Sequence, residues 1–117
     1  METRKEILFK LIQFTEPVEV LSEKLRNFSW DSKESLVVLS RGNISNAIKL
    51  FLDKKITRNS FIDWANCVEM RDDIEYEVGF EKIIATILFE LSIPEINDLI
   101  NDDNLKNVLA RLHQISN

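Results

Sequence analysis

The segment FEKIIATILFEL, from Phe80 to Leu91, has the most regular helical pattern in the chain. Its apolar residues recur three and four positions apart, which places them on one face of an α-helix. These residues are Phe80, Ile83, Ile84, Ile87, Leu88 and Leu91. We therefore expect this helix to lie at the centre of the hydrophobic core and to end at Ser92-Ile93-Pro94.

Segments on both sides repeat this helical spacing of apolar residues. They span residues 4–14, 17–27, 43–52, 57–68 and 101–112, and a short apolar turn or helix lies at residues 96–100. The connections have about two to five residues, a length typical of antiparallel neighbours. The sequence therefore predicts an all-α fold, a compact antiparallel bundle of roughly six to eight helices, with residues 1–117 as a single domain.

Two segments allow more than one structure. Thr15-Glu16-Pro17 indicates a stop and a restart, so residues 4–27 form either one kinked helix or two packed helices. The apolar run from Leu36 to Leu39 fits a buried helix or a strand, which periodicity cannot separate. The spacing of Asp31 and Glu34 is that of a capping box and favours a helix there, with Gly42 at its C-cap position.

The composition is that of a folded, helical protein. Apolar residues make up 44% of the 117 residues and charged residues 30%, which argues against disorder. Two glycines and two prolines are too few for the tight turns of an all-β sandwich or barrel. The N-terminal segment is amphipathic, and the most apolar run is far too short to cross a bilayer, so we expect a cytoplasmic protein without membrane contact.

Few residues are suited to catalysis. The sequence contains no glycine-rich phosphate loop and no HExxH, CxxC or GxSxG motif. We expect Cys67, the single cysteine, to be buried and inert because it lies in an apolar helical segment. We expect His113, the single histidine, to lie at the negative end of the last helix. The sequence thus predicts no enzyme activity, no catalytic residue, no metal and no cofactor.

A strongly acidic stretch, EMRDDIEYEVGFE from Glu69 to Glu81, precedes the central helix. It holds six of the 20 acidic residues and one of the 15 basic residues, so it accounts for the whole formal net charge of −5. Capping and helix-dipole contacts explain some of these carboxylates but not their number. Net acidity also argues against nucleic acid as a partner, because phosphates attract Lys and Arg.

We interpret the acidic stretch as an outward-facing surface that binds a basic protein. Carboxylates accept bidentate hydrogen bonds from arginine and speed encounter with a cationic partner, and tyrosine is common at interface hot spots. The predicted partner-binding residues are Glu69, Asp72, Asp73, Glu75, Tyr76 and Glu77. Reversing the charge of Asp73 and Glu77 should then weaken binding and leave the thermal midpoint nearly unchanged.

Part of the sequence also resembles a known family. The residues that carry the likeness are Asp63-Trp64-Ala65, Glu69, Arg71-Asp72-Asp73-Ile74, Glu90-Leu91 and Pro94-Glu95-Ile96. This pattern, over about half the chain from near Thr57 to the last helix, is similar to that of small helical immunity proteins of contact-dependent growth inhibition and related polymorphic toxin systems. The resemblance implies a cytoplasmic bacterial protein without catalytic activity, which binds and neutralises the C-terminal toxin domain of a cognate effector, often a nuclease.

The acidic surplus suits that role, because nuclease active sites are usually basic in order to hold phosphates. Within the shared pattern, Trp64 and Ala65 fit structural positions. Arg71 and Asp72 fit an internal ion pair between two helices, which leaves Asp73, Glu75, Tyr76 and Glu77 for the partner.

Two other functions remain open. Glu69 with Asp72 or Asp73 has the spacing of half a magnesium site, and Asp63 or Glu90 could supply the other half of a metal-dependent helical hydrolase. Alternatively, the chain is an adaptor bundle without a toxin partner that self-associates through apolar residues. The contact would then be formed either by Leu36–Leu39 or by Phe9, Leu50 and Ile62.

Overall fold

The computed structural model describes residues 3–28, 37–71, 73–93 and 100–114, with side chains as far as Leu112. Within these ranges the chain forms six helices and two short strands. In chain order they are α1 (Arg4–Gln13), α2 (Val18–Leu25), β1 (Val37–Leu39), α3 (Arg41–Leu52), α4 (Arg58–Glu69), β2 (Ile74–Tyr76), α5 (Glu81–Ser92) and α6 (Asp102–Gln114). None of these helices is both long enough and apolar enough to cross a membrane.

The two strands form a small parallel sheet, so the predicted helical fold is confirmed in part: the protein is mostly helical but not purely so. The paired residues are Val37 with Ile74, Val38 with Glu75, and Leu39 with Tyr76. Parallel neighbours need a crossover connection, and the segment containing α3 and α4 supplies it. In its described ranges the protein is mostly helical, with one two-stranded sheet.

The helix favoured for the run Leu36–Leu39 is therefore wrong for residues 37–39. Leu36 and the capping-box residues lie outside the described ranges. Val37 and Leu39 point inward, with 7% and 0% of their surface exposed, whereas Val38 is 51% exposed. This period of two is that of a strand, and β-branched valines suit it. The partner strand is distant in sequence, so a run of four apolar residues could not reveal it.

Helix α3 begins earlier than the sequence predicts. Ser40 is its N-cap and forms a capping box with Asn43, whose side-chain oxygen accepts a hydrogen bond from the Ser40 N–H at 2.8 Å. Gly42 consequently lies in the first turn of α3 and does not end a preceding helix. Two other starts agree with the sequence, since Thr57 caps α4 and Asn101 accepts a hydrogen bond from the first turn of α6.

Helices α1 and α2 are separate and pack against each other, so the alternative of one kinked helix does not apply. Helix α1 ends at Phe14, whose φ of 55° is left-handed. That conformation costs a non-glycine residue about 1 kcal/mol. The Phe14 ring stacks on Trp64 with centroids 5.7 Å apart, and this contact favours the side chain at that position.

The centre of the core lies between α4 and α5, which share the most extensive helix–helix contact. Their buried side chains are Phe61, Trp64, Ala65, Val68, Ile84, Ile87, Leu88 and Leu91. This confirms the apolar faces predicted for both helices. Trp64 Nε1 donates a hydrogen bond to the Leu11 carbonyl at 2.7 Å, so the indole N–H is satisfied in the core and fixes α4 against α1.

Two substitutions in β1 test the strand. Leu39→Ala should lower the free energy of unfolding by about 3 kcal/mol, because it removes a fully buried side chain. Val38→Ala should change it by about 0.5 kcal/mol or less, because Val38 is half exposed. Urea denaturation of the two variants measures both values, and equal losses would contradict the alternation of buried and exposed positions.

Candidate functional site

The acidic stretch from Glu69 to Glu81 does not form one continuous outward surface. Its residues belong to the end of α4, strand β2, the turn that follows and the start of α5. Asp72 lies outside the described ranges. The other acidic residues range from buried to exposed: Asp73 is buried, Glu69 and Glu77 are partly buried, and Glu75 and Glu81 are exposed. The single outward-facing site predicted from the sequence is therefore wrong for the described part of the stretch.

Asp73 lies in the interior, 1% exposed, between two arginines. Its Oδ1 accepts a hydrogen bond from Arg71 Nε at 2.8 Å, and its Oδ2 accepts from Arg71 Nη2 at 2.8 Å and from Arg4 Nε at 2.9 Å. Arg4 Nη2 is also 2.8 Å from Oδ2, although it makes no hydrogen bond there. The carboxylate thus joins the start of α1 to the connection between α4 and β2.

These contacts correct the exposure predicted for Asp73. Both of its oxygens are occupied by arginine, so the side chain does not face a partner in this fold. The partner of Arg71 here is Asp73, whereas the ion pair predicted with Asp72 involves a residue outside the described ranges. Reversing the charge of Asp73 would place a third cation beside two arginines, so the thermal midpoint would fall rather than stay unchanged.

Burial by itself would raise the pKa of Asp73, because a low dielectric disfavours the charged carboxylate. The hydrogen bonds and charge of Arg71, followed by those of Arg4, outweigh burial and hold the pKa below its ordinary value of 3.8. A carboxyl group whose pKa is lowered by folding contributes stability above its unfolded-state pKa. That contribution is lost as the pH falls from about 4 through the lower folded-state pKa.

Asp73→Asn should lower the free energy of unfolding at pH 7 by about 3 kcal/mol, because it leaves two largely buried arginines without their anion. The difference from the unsubstituted chain should shrink as the pH falls below about 4, where the unfolded chain begins to protonate Asp73, and should vanish below the lower folded-state pKa. Glu75→Gln, two residues away at an exposed position, should cost about 0.5 kcal/mol or less. Urea denaturation across this pH range measures both variants, and a pH-independent loss in Asp73→Asn would contradict the ionic role.

Glu77 is the second acidic residue with an internal partner. Its Oε1 accepts hydrogen bonds from the Arg41 backbone N–H at 3.0 Å and from Arg41 Nε at 3.1 Å, and its Oε2 accepts from Nη2 at 3.2 Å. The Arg41 guanidinium also lies over the Phe80 ring at 3.7 Å, and its Nη1 donates to the Leu112 carbonyl at 3.5 Å. Arg41 therefore connects the first turn of α3 with three other places. These are the end of β2, the start of α5, and the last part of α6.

The contacts with Arg41 lower the pKa of Glu77. The side-chain hydrogen bonds contribute most and the Arg41 backbone N–H comes next, and together they outweigh burial. Because Arg41 is the first residue of α3, the carboxylate also lies where the helix dipole favours an anion. The Glu77 carboxylate consequently provides an anion at the N-terminus of α3. This corrects the expectation that Glu77 is free to contact a partner.

Arg41→Lys keeps the positive charge but removes the planar two-point contact with Glu77 and the stacking on Phe80. We expect it to lower the free energy of unfolding by about 1–2 kcal/mol. Arg26→Lys is the control, because Arg26 pairs with Glu23 at the surface, where the two side chains are 73% and 72% exposed and such pairs contribute little. Equal thermal midpoints for the two variants would contradict the connecting role of Arg41.

The remaining predicted partner-binding residues differ in their exposure. Glu69 is partly buried at the end of α4 and accepts a hydrogen bond from Ser92 Oγ at 3.3 Å. Tyr76 packs partly buried against the core, and burial, followed by the charge of Glu69, raises its pKa. Glu75 is exposed on the outer face of β2, beside Val38. Among the described members of the predicted set, Glu75 is the fully exposed one.

The magnesium site considered from the sequence is not assembled in the described ranges. No group of three or more His, Cys, Asp or Glu side chains there is placed to hold a metal ion. The Asp73 carboxylate is already paired with Arg4 and Arg71, and their charges repel a divalent cation. The hydrolase alternative therefore loses one of its three named ligands, while Asp72 lies outside the described ranges.

The apolar residues considered for self-association differ in how much of each side chain is exposed. Phe9 is 51% exposed and lies on the outer side of α1. Ile62 is partly buried against the core, and Leu50 is likewise partly buried. In the described ranges these side chains do not all lie fully at the surface.

Cys67 is a free thiol that is partly buried against the core, whereas the sequence predicts a buried one. Burial still raises its pKa, against smaller opposing effects from the charge of Arg71 and a hydrogen bond with Ser22. A thiol with a raised pKa stays protonated and weakly nucleophilic at neutral pH. His113 lies in the last turn of α6, as predicted, and its side chain is outside the described part.

Sequence reasoning missed two residues that determine this site, Arg4 and Arg41. Arg4 contacts a carboxylate 69 positions later in the chain, and Arg41 contacts one 36 positions later. The available signal was the presence of arginines elsewhere in the chain, any of which can pair with a carboxylate of the acidic stretch. The pattern gives no indication of which arginines these are.

Comparison with protein-family models, curated proteins and solved structures found no match to the chain. The resemblance to immunity proteins therefore stays a prediction that rests on the residues quoted for it.

Proposed function

We propose that this chain is a cytoplasmic immunity protein that binds and neutralises the C-terminal toxin domain of a cognate bacterial effector without catalysing a reaction. The toxin domain would be a basic protein and, by the family resemblance, a nuclease. The observation that supports this proposal best is the outer face of the sheet. There Glu75 is exposed beside Val38, which is 51% exposed, and Val78, which is 82% exposed, follows in the next turn.

This sheet face, defined by Val38, Glu75 and Val78, has the chemistry of a protein contact. Neither valine belongs to the core, and an exposed apolar side chain gains from burial against another protein. Glu75 makes no ion pair with any described residue, so its carboxylate can accept hydrogen bonds from an arginine of the partner. A polar group among apolar contacts of this kind gives an interface its orientation.

Because other acidic residues are paired within the chain, fewer carboxylates remain to attract a basic partner. Asp73 and Glu77 are bound to arginines of the same chain, so steering of a basic partner relies on the acids that remain exposed. Glu81 is one of them, and its side chain accepts a hydrogen bond from the Gly79 N–H at 2.8 Å in the turn after β2. The exposed negative charge therefore lies on β2 and beside this turn. It does not extend over the whole acidic stretch.

Glu75→Lys should weaken binding to the cognate toxin domain. We expect the dissociation constant to rise at least tenfold, about 1.4 kcal/mol, because a cation would face the basic partner. Asp53→Lys, the same charge change at an exposed position after α3, is the matched control and should bind within about twofold of the unsubstituted chain. Calorimetry measures both, and thermal denaturation verifies that both variants stay folded.

The salt dependence of association gives a second readout for this proposal. Association of the purified pair should slow as ionic strength rises, because salt screens the exposed charges. Association that is equally fast at low and high salt, together with unchanged affinity in Glu75→Lys, would contradict the proposed role of the sheet face.

A further inference from the structure

Helices α2 and α4 form the walls of an open groove of about 480 Å³, here called the α2–α4 groove. Its floor is apolar, with Val18 and Leu25 buried and Phe28 and Cys67 partly buried against the core. Met70, in the turn after α4, adds an apolar side chain that is 62% exposed.

Three carboxylates lie at the rim of the α2–α4 groove. Glu19 on α2 and Asp63 on α4 are exposed, one on each wall, and neither forms an ion pair with a described residue. The third acid at the rim, Glu23, is paired with Arg26 at 3.1 Å. Arg71 also lines the groove, but its guanidinium is bound to Asp73. The rim therefore presents negative charge above an apolar floor.

We propose that the α2–α4 groove docks a basic amphipathic helix of a partner protein. Apolar side chains at helical spacing would lie on the floor, and Lys or Arg at the helix edges would contact Glu19 and Asp63. This is the helix-in-groove mode, in which an apolar face gives affinity and flanking charges give orientation. An added strand would need a sheet edge, whereas both walls of this groove are helices.

Among the described residues, the α2–α4 groove and the sheet face share none, so either surface can bind without the other. The groove would take a basic helix whether or not the partner is a toxin. A test with a designed peptide therefore separates failure at the groove from failure of the immunity function.

Cys67 provides a site-specific probe, because it is the single cysteine and lines the floor. The ligand is a synthetic helical peptide with Leu at positions i, i+3, i+4 and i+7 and Lys elsewhere. At a saturating concentration it should slow alkylation of Cys67 by monobromobimane at least fivefold, because it covers the thiol. A second peptide with Glu in place of every Lys has the same apolar face and should leave the alkylation rate unchanged.

The paired variant Glu19→Gln with Asp63→Asn tests the rim. Fluorescence anisotropy should show about tenfold weaker binding of the Lys peptide at low salt, which corresponds to about 1.4 kcal/mol for two lost charge contacts. Asp53→Asn with Asp103→Asn removes two exposed charges that lie outside the groove and should bind within about twofold of the unsubstituted chain.

Four results with the peptides and the paired variants would overturn the proposal. They are absence of binding by the Lys peptide, binding that leaves the alkylation of Cys67 unchanged, equal protection by the Glu peptide, and equal affinity of the two paired variants. Alkylation of Cys67 that slows as the chain itself is concentrated, without peptide, would assign the groove to a second copy and would also overturn it.

Discussion

The pairing of Asp73 with Arg4 and Arg71 is the contact on which the position of the small sheet depends. It lies directly before β2, and the pairing of Glu77 with Arg41 lies directly after it. Strand β2 is therefore fixed at both ends by arginines from other parts of the chain. Removing such a carboxylate lowers stability, because the guanidinium groups would remain charged and largely shielded from water without their anion.

In this arrangement, an acidic residue of the stretch does not always contribute negative charge to the surface. Two carboxylates of the stretch neutralise arginines inside the fold, and Glu75 between them points to solvent. Because β2 is fixed at both ends, it holds Glu75 in a defined position beside Val38 of β1. Rigid presentation lowers the entropy cost of binding, so the internal ion pairs support a binding surface without being part of it.

Much of the helical fold was predictable from the sequence. The apolar faces of α4 and α5 are confirmed because each side chain in them repeats with a local period that the backbone imposes. Strand β1 was not predictable, because its partner residues Ile74–Tyr76 are distant in sequence. A run of four apolar residues does not by itself distinguish a strand from a buried helix. The site was predicted least well. Charge density locates acidic residues, but whether Asp73 faces water or an arginine 69 positions away depends on how the helices pack.

A carbon-detected NMR titration of the Asp73 and Glu77 side-chain carboxyl groups in the folded chain tests the internal pairing most directly. Both groups should titrate below their ordinary pKa values of 3.8 and 4.5, with Arg71 and then Arg4 stabilising the first carboxylate and Arg41 the second. Titration of Asp73 at or above 3.8 would contradict the pairing and would return its carboxylate to the set of groups that can face a partner.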